Sequence, residues 1–100
     1  MITIEAGTAE KLAVPITTVA DPTSTPPQFN LATSDTPGAF VAGTWATTWN
    51  STTGAATALT PLVGSGQALT VAAGTDYRLH VKWTAAGETP IKIAGIVRAI

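Results

Sequence analysis

The chain contains no cysteine, which excludes disulfides, thiolate metal sites and a cysteine nucleophile while leaving the redox compartment open. Charge is scarce too. Charged residues fill 11% of the 100 positions, less than half the ~25% usual in a soluble domain, so Thr, Ser, Ala, Gly and Asn must form much of the surface. Five basic residues stand against six acidic ones, giving a formal net charge of −1. With no basic footprint, nucleic acid and anionic membranes are poor partners. No stretch approaches the ~18 consecutive apolar residues of a membrane-spanning helix. The opening Met1-Ile2-Thr3-Ile4-Glu5 enters strand-like alternation directly, without the basic start and apolar run of a signal peptide. The expectation is therefore a soluble chain without a signal peptide.

Helical periodicity is nearly absent. The Ala-rich pieces are mixed with Thr and Gly, which disfavour helix by up to ~1 kcal/mol per residue. What the sequence does have is short runs of Val, Ile, Thr, Trp and Tyr, broken by Gly, Pro or Asp turn signals about every eight to twelve residues. A chain of this size buries roughly 60–70% of its unfolded surface, enough for one core. Residues 1–100 thus read as a single all-β domain of about eight strands.

The expected strands are Ile2–Glu5, Lys11–Val19, Gln28–Thr33, Gly43–Trp49, Thr57–Val63, Gln67–Ala72, Tyr77–Thr84 and Ile91–Ile100. Pro15 lacks a backbone donor, which places the second of these at a sheet edge or at a break. Asp21–Pro27 reads as a stiff Pro-rich loop. Gly64-Ser65-Gly66 reads as a hairpin-type turn between the fifth and sixth strands. The clearest alternation is Tyr77, Leu79, Val81 and Trp83 against Arg78, His80, Lys82 and Thr84, which predicts one buried and one solvated face. Ile91 and Ile93 are out of phase with Ile96, and a bulge at Ala94-Gly95 would restore the phase.

No catalytic constellation emerges. The single histidine, His80, stands between two basic residues in a strand and has no second His or Cys to complete a zinc site. No G-x-S-x-G elbow is present. The carboxylates Glu5, Glu10, Asp21, Asp35, Asp76 and Glu88 are scattered through expected turns, where such residues serve solubility and turn bonding. The reading is a protein that is not an enzyme and needs no cofactor or metal. Its candidate partner-binding residues are Arg78, His80 and Lys82, a basic row suited to an acidic partner. Trp45 and Trp49, expected on one strand face, read first as core or intersubunit packing, with a stacking platform for carbohydrate or bases as the alternative. Tyr77, Leu79, Val81 and Trp83 are structural candidates. Tyr77, starting a late strand just after a turn, fits the tyrosine corner of immunoglobulin-like sandwiches, in which the hydroxyl bonds the backbone a few residues upstream.

The fold expectation is accordingly an immunoglobulin-like β-sandwich of about seven to eight antiparallel strands. The segment Gly74-Thr75-Asp76-Tyr77-Arg78-Leu79-His80-Val81-Lys82-Trp83-Thr84, through Glu88-Thr89-Pro90 to Ala94-Gly95-Ile96-Val97, resembles small immunoglobulin-like virion proteins of tailed phages that infect actinobacteria. Ile4–Lys11 is similar to their opening, and Asp35–Gly66 lies outside the resemblance. The resemblance implies a non-enzymatic virion component made in the host cytoplasm. Its first implication is a capsid decoration or cement protein bound to the major capsid protein lattice on the capsid surface, with at most weak self-association. A head–tail connector or tail-associated component is the alternative within that class. A cell-surface carbohydrate-binding module, using Trp45 and Trp49, is the alternative from another class.

Overall fold

Leu12, Val14 and Ile16 are buried while Ala13, Pro15 and Thr17 are exposed, the two-faced pattern that period-2 alternation dictates. The computed structural model describes residues 1–100 and is all-β, without a helix. Its strands are β1 (Ile2–Ile4), β2 (Ala13–Thr17), β3 (Gln28–Ala32), β4 (Val41–Ala42), β5 (Thr44–Trp45), β6 (Ala55–Leu59), β7 (Val63–Gly64), β8 (Leu69–Thr70), β9 (Asp76–Lys82) and β10 (Ile91–Ala99).

They form a five-stranded sheet in the order β1-β10-β9-β3-β4, a three-stranded sheet β2-β6-β5, and the small pair β7-β8. Val14, Ile16 and Ala58 from the three-stranded sheet meet Ile4, Phe29, Leu79, Val81, Val97 and Ala99 from the five-stranded one in a single apolar cluster. Two sheets sharing one dry interior bury the apolar face of each, which is the main source of stability in such a layered fold.

Not every pairing is antiparallel. β1 runs parallel to β10, with Ile2 opposite Val97 and Ile4 opposite Ala99. β7 and β8 are also parallel, Val63 facing Leu69, so Gly64-Ser65-Gly66 does not make the expected hairpin. The chain instead loops round through Gly66, whose φ is 74°, and Leu69 N–H donates to the Leu62 carbonyl at 3.1 Å. Pro15 does lie in an edge strand, β2. Its cross-strand partner Thr57 sends its N–H to Thr47 Oγ1 (2.9 Å) and accepts at its carbonyl from Ala46 N–H (2.8 Å), both away from β2. The proline therefore costs the ladder no hydrogen bond.

The expected strand Gly43–Trp49 is divided. Val41–Ala42 belongs to the five-stranded sheet and Thr44–Trp45 to the three-stranded one, so the chain changes sheets at Gly43. Residues Ala46–Trp49 are outside any strand, and Trp45 and Trp49 share no strand face. The expected Thr57–Val63 strand is likewise interrupted, because Pro61 follows Thr60 between β6 and β7.

Tyr77 pins the turn that precedes β9. Its Oη accepts the Ala72 N–H at 2.9 Å, while the ring packs against the core. Tyr77→Phe keeps the packing and deletes one hydrogen bond, so we expect a loss of about 1 kcal/mol, read from the urea midpoint at unchanged slope.

Candidate interaction face

Residues directly opposite in an antiparallel pair point to the same face. Register therefore assembles the outer face of the five-stranded sheet in three rows: Gln28, Lys82 and Ile91; Asn30, His80 and Ile93; Ala32, Arg78 and Ile96. The three isoleucines align because the β9–β10 register shifts between Ile93 and Gly95. The bulge expected at Ala94-Gly95 brings them into phase, though toward the outside, and Val97 and Ala99 fill the core.

The basic row is not the solvated surface that the alternation predicted. His80 is 1% exposed, covered by the segment 33–40 that connects β3 to β4 and folds back over β9. Arg78, His80, Lys82 and Asn30 each engage the segment. Arg78 donates from Nη1 to the Thr33 carbonyl at 3.1 Å and pairs through Nε with Asp35 at 2.7 Å. His80 Nε2 lies 3.1 Å from the Ser34 carbonyl, and since a carbonyl only accepts, that nitrogen carries the proton. Lys82 Nζ sits 4.3 Å from the centre of the Phe40 ring, a cation–π contact. Asn30 fastens the segment from beneath, donating to the Ala39 carbonyl (2.9 Å) and accepting from Gly38 N–H (2.7 Å). Period-2 alternation specifies two faces but not what the rest of the chain lays over them.

Beyond this strap the face is bare and apolar. Ile91 is 53% exposed and Ile93 41%, and Ile96 is half-buried, all on the stretch of β10 that pairs with β9 and lies before the residues Val97–Ala99 that pair with β1. At the other end of the strand Arg98 forms a two-pronged pair with Asp76, Nε–Oδ1 at 2.7 Å and Nη2–Oδ2 at 2.9 Å. Hydrogen bonds from Arg98 hold the Asp76 carboxyl below its ordinary range and raise the guanidinium's own affinity for its proton. Both arginines of the chain are thus neutralised beside the isoleucines.

The tryptophans stand elsewhere. Trp45 donates its Nε1–H to the Thr25 carbonyl at 2.8 Å and packs on the core, securing the Pro-rich loop, in which Pro22 and Pro27 are fully buried. Trp49 is half-buried and its Nε1 has no partner, as is true of Trp83. Leu79 and Val81 are fully buried and Trp83 is 6% exposed. No three His, Cys, Asp or Glu side chains gather where a metal ion could be held.

The isoleucines were missed as site residues because an aliphatic strand reads as core. The signal was present in the count back from the Gly87 turn, which sets Ile91 opposite Lys82 and hence on the face opposite Leu79 and Val81. Comparison with protein-family models, with curated proteins and with solved structures finds no match.

Proposed function

We propose that this chain is a non-enzymatic structural protein of a tailed-phage virion, a decoration protein that docks on the major capsid protein lattice. The observation that carries the proposal is the isoleucine row on β10: adjacent large apolar side chains standing in solvent on one sheet face mark an interaction surface. Ion pairs neutralise both neighbouring arginines, and Lys82, opposite Ile91, is held over the Phe40 ring.

The strand order supports the fold assumed in this reading. β10-β9-β3 facing β2-β6-β5 corresponds to the G-F-C and B-E-D rows of an immunoglobulin-like sandwich, with β1 and β4 as added edges and the Tyr77–Ala72 bond as its tyrosine corner. A low-charge surface also suits a domain repeated at close spacing on a lattice, because neighbouring copies repel one another weakly.

The test is co-sedimentation of the purified chain with phage heads, alongside quantitative mass spectrometry of virions. Ile93→Asp is expected to weaken head binding at least about tenfold, since it buries an unpaired charge in the contact, with the thermal midpoint nearly unchanged. Copy number should be comparable to that of the capsid protein. Full binding by Ile93→Asp would refute the docking face, and a dozen or fewer copies would refute the decoration role in favour of a connector.

A further inference from the structure

The strand β10 pairs with β9 from Ile91 to Arg98, whereas β1 pairs only with Val97–Ala99, so no strand lies beside the far edge of Ile91–Ile93. Bonded and unbonded residue pairs alternate along an antiparallel ladder. Trp83 N–H donates to the Pro90 carbonyl at 3.3 Å, so Val81 and Lys92 form the next bonded pair, and Lys82 with Ile91 and His80 with Ile93 are unbonded pairs. The N–H and C=O of Ile91 and of Ile93 therefore point away from β9, and neither residue makes a backbone hydrogen bond outside the ladder. Donors and acceptors on this edge are balanced. The side chains of the same two residues are 53% and 41% exposed on the outer face.

A strand laid along the edge satisfies all four backbone groups at once, and its outward side chains cover both isoleucines. The free edge of β2, in the other sheet, has Pro15 where such a donor would stand. Lys92 bears on which strand fits. It lies opposite Val81, hence on the inner face, is exposed and forms no ion pair. In the symmetric pairing in which two copies satisfy these four groups mutually, Ile91 opposite Ile93, Lys92 would stand directly opposite its own counterpart. Like charges so placed repel, and an edge lysine is a common obstacle to self-pairing. A carboxylate in that place turns the repulsion into attraction.

We infer that the partner protein adds an extended segment to the β10 edge as a strand, with an acidic residue opposite Lys92 between two apolar residues opposite Ile91 and Ile93. This rests on the docking face proposed above and specifies how that face is engaged. Backbone bonding sets the register, the isoleucines supply apolar cover, and Lys92 selects against a second copy of the chain.

The test replaces the Ile93 amide by an ester, using the α-hydroxy acid that carries the isoleucine side chain, so that the N–H is deleted and the side chain kept. Binding to phage heads by co-sedimentation, compared where each variant is folded, should weaken about threefold to tenfold, the effect of one hydrogen bond. The same replacement at Lys92, whose N–H belongs to the β9 ladder, should lower stability and leave binding unchanged. Lys92→Glu should weaken binding by a similar factor, since it sets like charges opposite each other, and the chain alone should sediment as a monomer. Undiminished binding by the Ile93 ester while Ile93→Asp is defective would overturn strand addition and leave the docking face standing. Undiminished binding by both would overturn the two together. Undiminished binding by Lys92→Glu would overturn the acidic residue, and a dimer of the chain alone that the Ile93 ester dissociates would overturn the partner segment in favour of a second copy.

Discussion

Gly43→Ala is expected to destabilise the protein by about 3 kcal/mol or more, the upper end of what overpacking a core costs. The reason is geometric. A Cβ placed at Gly43 would overlap the backbone carbonyl oxygen of Leu59 and stand 2.6 Å from Cε2 of Phe29. Neither obstacle can step aside. Leu59 is the residue paired with Thr44 across β5 and β6, so moving its carbonyl breaks the three-stranded sheet at its edge. Phe29 is fully buried and lies on β3 between β9 and β4, so moving its ring disturbs the other sheet. Gly43 also donates its N–H to the Pro27 carbonyl at 2.8 Å, which holds it in place at the crossing. Gly95→Ala is the control. Although Gly95 stands at the β10 bulge, no atom lies within 4 Å of an added Cβ there, so its loss should stay within about 0.5 kcal/mol. Urea denaturation of the two variants measures the contrast; equal midpoints would mean that Gly43 has room that the close approach denies.

How much of this was legible depends on how local each feature is. The strand β9 could be read outright, because its alternation and the turn before it lie within one segment. The single buried face of β2 could be read for the same reason, and Pro15 narrowed its place to an edge or a break, of which the structure has the edge. Gly43 could not be identified as the sheet-changing residue. Gly-Thr-Trp resembles an ordinary strand start, and the contacts that make a side chain impossible come from Leu59 and Phe29, distant in sequence. His80 was placed on the correct face and given the wrong environment, since the covering segment 33–40 is held by Asn30 and by backbone carbonyls that carry no residue-type signature. Parallel pairing of β1 with β10 joins the two ends of the chain and leaves no local trace either. At the candidate site, the arginines and His80 attracted attention by their chemistry, while the isoleucines that define the bare face look like any other core strand.

Leu79→Ala and Ile93→Ala, two truncations of similar volume in one sheet, are expected to differ by a wide margin. Leu79 is fully buried, opposite Leu31 on β3 and Gly95 on β10, within the cluster that joins the two sheets. Its truncation should cost about 3 kcal/mol, the sum of lost apolar transfer and the cavity left behind. Ile93 lies on the other face, opposite His80, and is 41% exposed. Its truncation leaves no enclosed cavity, and the expected loss is below about 1 kcal/mol. Binding to the partner should show the reverse order when each variant is compared under conditions where both are folded. Leu79→Ala should bind normally, and Ile93→Ala should bind weakly. The two aliphatic residues are chemically near-equivalent, so the crossed outcome would separate what holds the fold together from what it presents. A large stability loss for Ile93→Ala would instead make the β10 face part of the core, and the bare row would then owe its isoleucines to packing alone.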